Sequence, residues 1–184
     1  DNLVRYTYIF STYLIGGIGV YLYLSKHWLQ NKSISLKKWL ASLGGVLYLL
    51  HVVTLQQFYI SFEVFMAQFA FFPFLLLIIQ RLHKQFNIKN ILIFILVQLL
   101  IAPSGHTSAI FYLGVLFSLL YSFFLKLDKA QVWAAFRFSF LIGLITLLVN
   151  FYWILPNLYY GLHNSSYVQE SHENQVFGPD TAAV

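Results

Sequence analysis

Few side chains in this sequence are of a type that does chemistry, and four short stretches hold most of them. Pro103-Ser104-Gly105-His106 puts a hydroxyl and an imidazole at the start of an apolar segment, where the free backbone N–H groups of a helix can receive an anion. Glu63 stands in a short polar joint, where a carboxylate can act as a base, hold a donor metal or cap the following helix. Glu170, His172 and Glu173 are nearly adjacent, and such a set can bind a divalent cation, the one cofactor that the residue types suggest. His51, Thr54 and Gln57 fall along one side of a helix, while Gln56 turns away. Ionisable groups inside a membrane are expensive and mark functional sites, so His51 and Gln57 are candidate substrate contacts. The alternative for His51 is a neutral imidazole bonded to another helix, with Gln68, Gln98 and Asn150 as partners. Trp153, with Tyr152, Tyr159 and Tyr160, is either an interfacial anchor or a stacking surface for a substrate.

These groups are set in 184 residues that are 59% hydrophobic and 9% charged, against roughly a quarter charged in soluble domains. A helix crossing ~30 Å of hydrocarbon needs ~20 mostly apolar residues. Six such segments can be drawn, at about residues 6–25, 39–60, 64–80, 86–102, 108–125 and 133–155. None alternates as a strand does, so the sequence predicts an all-α polytopic integral membrane protein, a bundle of about six transmembrane helices. Residues 156–184 are expected to form an external loop or to begin an external segment. Pro73, inside the third helix, predicts a kink. The absence of cysteine leaves no disulfide framework and no thiolate metal site. A start at Asp1-Asn2-Leu3, without Met or a basic leader, gives the expectation of a piece of a longer chain or a processed one.

Charge placement orients the helices. Lys26, Lys32, Lys37 and Lys38 lie in the first joint, Arg81, Lys84 and Lys89 in the third, and Lys126, Lys129 and Arg137 in the fifth. Only Arg5 falls on the other side. The positive-inside rule makes the basic loops 26–38, 81–89 and 126–137 cytoplasmic and puts both termini outside. Of the acids, Asp128 alone is then inside. The 103–106 stretch and Glu63 face outward, as does Asn164-Ser165-Ser166, a glycosylation sequon.

Residues 103–106 resemble the middle motif of the type 2 phosphatidic acid phosphatases letter for letter. That family joins three motifs, Lys-x6-Arg-Pro, Pro-Ser-Gly-His and Ser-Arg-x5-His-x3-Asp. The resemblance implies that cations hold the phosphate, the last His attacks, its Asp orients it and the central His assists the leaving group. Here no proline follows an arginine. Asn157 and Ser166 stand six before His163 and His172, where Arg is needed, and Tyr167 and Val176 stand four after them, where Asp is needed. The same four residues also suit a tight turn, with Pro103 and Gly105 ending one helix and Ser104 or Thr107 capping the next.

A broader likeness covers nearly the whole chain. LASLGGVLYLLHVVTLQQFYISFEVFMAQFAFFPFLLLIIQRL, GHTSAIFYLG and NFYWILPNLYY follow one another in an order that resembles the membrane core of the GT-C glycosyltransferases, of the arabinofuranosyltransferase and YfhO-like kinds. The resemblance implies transfer of a sugar from a polyprenyl-phosphate donor to an acceptor at the outer or lumenal face. It also implies an acidic catalytic base in a first external loop that is not recognisable here, leaving Glu63 and His106 as this chain's catalytic candidates and His51, Gln57, Ser104 and Trp153 as substrate contacts. The partners expected are the lipid bilayer, a lipid-linked sugar and the rest of a longer chain, with no nucleic acid. A transporter or flippase-like protein is the competing class, in which His51, Gln57 and Gln98 would line a path, although no inverted repeat is visible.

Overall fold

The computed structural model describes residues 2–51, 63–106, 108–127 and 132–163, and in them every regular element is helical. α1 runs Asn2–Tyr23 and widens into a π-helical turn at Leu24–Trp28; α2 is Ile34–Leu49, α3 Glu63–Lys84 and α4 Ile88–Ile101. A 3₁₀ turn, Ala102–His106, leads to α5, Ser108–Lys126, and α6 runs Val132–His163. Five of the helices are long and apolar enough to cross a membrane. The chain is thus an all-α polytopic membrane protein, as its composition requires. Large apolar side chains such as Leu14, Ile18, Leu92, Phe117 and Leu148 lie exposed along these helices, as they must where the solvent is hydrocarbon.

α2 starts before the helix expected at 39–60 and ends at Leu49, and residues 52–60 of that expectation lie outside the described residues. At 16 residues it is about 24 Å long. Its end is fixed from outside: the Tyr13 hydroxyl on α1 donates to the Leu49 carbonyl, one of those a helix terminus leaves open. His51 therefore stands beyond the helix end, exposed, and not at mid-helix as its sequence position suggests. At the other extreme, α6 continues through Pro156 to His163, where the sequence reading ends it at 155. At 32 residues it is roughly 48 Å long, more than a ~30 Å hydrocarbon layer needs.

Residues 1–149 form one compact unit. α3 is its hub: 56% of its apolar window is buried, against 33% or less in every other candidate span. Small residues let the neighbours close on it. A Cβ added to Gly16 would sit 2.7 Å from the Phe69 ring, and one on Gly19 would sit 2.7 Å from Phe74 and 3.0 Å from Pro73. α2 approaches α1 just as closely, since a Cβ on Gly45 would lie 3.0 Å from the Gly17 carbonyl oxygen. Without a hydrophobic drive between helices in lipid, such close backbone contact and dispersion supply the association. Tyr48 completes the α1–α2–α3 contact: its ring stacks on Phe69 at 4.2 Å and its hydroxyl donates to the Phe69 carbonyl at 2.8 Å.

The second unit, from Asn150, is described as far as His163. Trp153 Nε1 donates to Asn150 Oδ1 at 3.0 Å. Tyr159 stacks on His163 at 4.1 Å one turn on.

Candidate functional site

The turn at residues 102–106 shows how this bundle uses its polar groups. α4 stops because Pro103 has no N–H to extend the ladder, and the chain tightens into the 3₁₀ turn. That turn buries Ser104 and Gly105 and leaves His106 exposed. Ser104 is 1% exposed, and its hydroxyl donates to Gln68 Oε1 on α3 at 3.0 Å. Gln68 Nε2 in turn donates to the Ile110 carbonyl on α5 at 3.0 Å. One amide thereby links three segments. Ser104 spends its hydroxyl on that amide rather than on capping α5.

One helical turn below Ile110, Gly114 makes room for the Gln68 amide. A Cβ there would lie 3.0 Å from Gln68 Cδ and collide with Nε2. Deeper still, Gln98 Nε2 on α4 donates to Thr146 Oγ1 on α6 at 3.0 Å, and Ser118 bonds back to the Gly114 carbonyl at 2.8 Å. The space left among Gln68, Gln98, Gly114 and Ser118 is about 10 Å³, room for one water at most. Gln68 with Ser104 and Gln98 with Thr146 thus bond across helices, and Ser118 bonds within its own.

His106 is at the surface of this end, beside the Ser104 contact, and Glu63 is the first residue of α3. Gln57, Glu170, His172 and Glu173 lie outside the described residues, as do Thr54, Gln56, Thr107 and the 164–166 sequon. Trp153 belongs to the second unit. Among the described residues no group of three His, Asp or Glu side chains is placed to hold a metal ion. Gln68 and Gln98, expected as partners for His51, are bonded to Ser104, Ile110 and Thr146 instead.

The opposite end of the first unit collects the basic residues. Lys26, Lys32, Lys37, Lys38, Arg81, Lys84, Lys89, Lys126 and Arg137 all lie at or near the helix ends that meet there, and among the described residues Arg5 alone is at the 102–106 end. Sequence reading missed the aromatic cluster that holds this end together. Trp28 Nε1 donates to the Tyr23 hydroxyl and Tyr23 donates to the Tyr121 hydroxyl, each at 3.2 Å. The His83 ring meets Phe138 edge-on at 5.8 Å, and Lys126 Nζ lies 5.5 Å from the centre of the same Phe138 ring. The sequence signal was present in Tyr23-x3-His27-Trp28 beside Lys26, but the partner helices were not.

No protein-family model matches the chain, and no curated protein or solved structure matches it either.

Proposed function

We propose that this chain is the membrane core of a glycosyltransferase that takes its sugar from a polyprenyl-phosphate donor at the membrane face carrying the 102–106 turn. The observation that carries this reading is how the described polar groups between the helices are used. Gln68, Ser104, Gln98 and Thr146 are committed to bonds between helices, and the void beside them is about 10 Å³. A solute path would need polar side chains facing a cavity that water can enter. His106 is exposed on the end that holds Ser104. Phosphate hydrolysis is less well supported, because nine of the described cations lie at the far end, away from His106.

The test uses the full-length protein in membranes supplied with a radiolabelled sugar on polyprenyl phosphate. Transfer to an acceptor is expected, with a loss of about tenfold or more for His106→Ala, equivalent to ~1.4 kcal/mol of transition-state binding. Release of inorganic phosphate without sugar transfer would favour the hydrolase, and no turnover of any polyprenyl-linked sugar would refute the proposal.

A further inference from the structure

Between α5 and α6 the first unit holds a groove of about 480 Å³, within the usual range of small-molecule sites of roughly 300–1,000 Å³. Its walls are Leu119, Leu120 and Phe123 on α5, and Phe136, Phe140, Leu144 and Leu147 on α6. The floor is made by two small residues four apart. Ser139 donates to the Leu119 carbonyl at 2.9 Å, and a Cβ on Gly143 would lie 3.1 Å from a Leu119 methyl. The helices therefore meet along Ser139 and Gly143 while the larger side chains rise on either side. Those side chains face outward: Phe136 is 51% exposed and Phe140 59%.

Two features say what fits there. The first is length. From Phe136 to Leu147 the α6 wall extends roughly 16 Å at ~1.5 Å per residue, about half of a ~30 Å hydrocarbon core. The groove is therefore one leaflet deep, and it starts from the basic end of the bundle. The second is charge. Arg137 follows Phe136 and stacks its guanidinium over Trp133 at 5.3 Å. Trp133 is 63% exposed and stacks on Phe136 at 5.5 Å, and Phe136 stacks on Phe140 at 6.5 Å, so an aromatic ladder runs from the cationic mouth into the groove. Tryptophan at headgroup depth with cations beside it and hydrocarbon below is the pattern that receives an anionic lipid between membrane helices.

We infer that the α5–α6 groove is a binding site for an anionic glycerophospholipid of the leaflet at the basic end, with one acyl chain along Phe136, Phe140 and Leu147 and the phosphate at Arg137. The site is half a membrane away from the 102–106 turn and does not depend on the chemistry proposed there. It would tether α6 to α5 beside the Ser139 and Gly143 contact.

The experiment uses the full-length protein purified in mild detergent and exchanged into nanodiscs of phosphatidylcholine with either phosphatidylglycerol or no anionic lipid. Native mass spectrometry of the released protein should retain phosphatidylglycerol in preference to phosphatidylcholine. Retention should fall at least about fivefold for Arg137→Gln, an exposed substitution that leaves the fold intact as checked by an unchanged unfolding midpoint in phosphatidylcholine. A phosphatidylglycerol bearing a diazirine on one acyl chain should cross-link within residues 119–123 and 136–147. The proposal is overturned if Arg137→Gln retains phosphatidylglycerol like the wild type, if both lipids label the groove equally, or if labelling is spread evenly around the bundle. It is overturned equally if the groove cross-links to a second copy or to another segment of protein in place of lipid.

Discussion

Gly114→Ala puts one methyl group against the amide that ties α3, the 102–106 turn and α5 together. The new Cβ would lie 3.0 Å from Gln68 Cδ and overlap Nε2, so Gln68 must swing away. It cannot do so and keep both its bonds, to the Ile110 carbonyl and from Ser104, each 3.0 Å long. Hydrogen bonds between membrane helices contribute on average ~0.6 kcal/mol and at most ~1.7 kcal/mol each, so losing two costs about 1–3 kcal/mol. Alanine returns up to ~1 kcal/mol through its better helix propensity. The net expectation is a destabilisation of roughly 0–2 kcal/mol. The mechanism makes a sharper forecast in a double-mutant cycle. With Gln68→Ala already in place there is nothing to collide with, and Gly114→Ala should become neutral or stabilising by up to ~1 kcal/mol. Reversible unfolding in mixed micelles by titration with sodium dodecyl sulfate measures all four proteins. An equal penalty for Gly114→Ala in both backgrounds would refute the reasoning, because the methyl would then be clashing with something other than the amide.

Other outcomes follow from the same packing. Tyr48→Phe keeps the 4.2 Å stack on Phe69 and loses only the bond to its carbonyl, so it should cost ~0.5–1.5 kcal/mol in the same unfolding assay, and Tyr48→Ala distinctly more. Gly45→Leu forces a side chain against the Gly17 carbonyl oxygen, which is backbone and cannot rotate aside; it should separate α1 from α2 and lower the yield of folded protein. Because the chain has no cysteine, single cysteines replacing Lys38 and His106 should react with a membrane-impermeant maleimide from opposite sides of sealed vesicles. Labelling of both from one side would remove the two-ended arrangement.

The helices were legible because hydrocarbon thickness sets their length, and runs such as Ile88–Ile101 and Ser108–Lys126 carry no charge except at their ends. The grouping of cations was legible too, since Lys26, Lys84 and Lys126 fall at alternate joints, the first, third and fifth. The end of α2 was hidden because the group that closes it, the Tyr13 hydroxyl, comes from another helix. The length of α6 was misread for a different reason. Pro156 removes only one N–H from the ladder, and a turn later the Tyr159–His163 stack, with His163 Nδ1 2.9 Å from the Tyr159 carbonyl oxygen, carries the helix on. Ser104 read as a cap or a substrate contact because local spacing speaks for both, whereas its real partner, Gln68, is 36 residues away. The same limit concealed the α5–α6 groove: Ser139 and Gly143 look like ordinary small residues until α5 is laid across them.

The proposed glycosyl transfer and the competing transport of a solute give different products in one measurement, on sealed proteoliposomes carrying the full-length protein, a polyprenyl-phosphate-linked radiolabelled sugar and the corresponding free sugar outside. A covalent glycosylated product is expected, with free sugar inside the vesicles no higher than in protein-free controls. Accumulation of unmodified sugar in the lumen, with no covalent product, would contradict the proposed transfer.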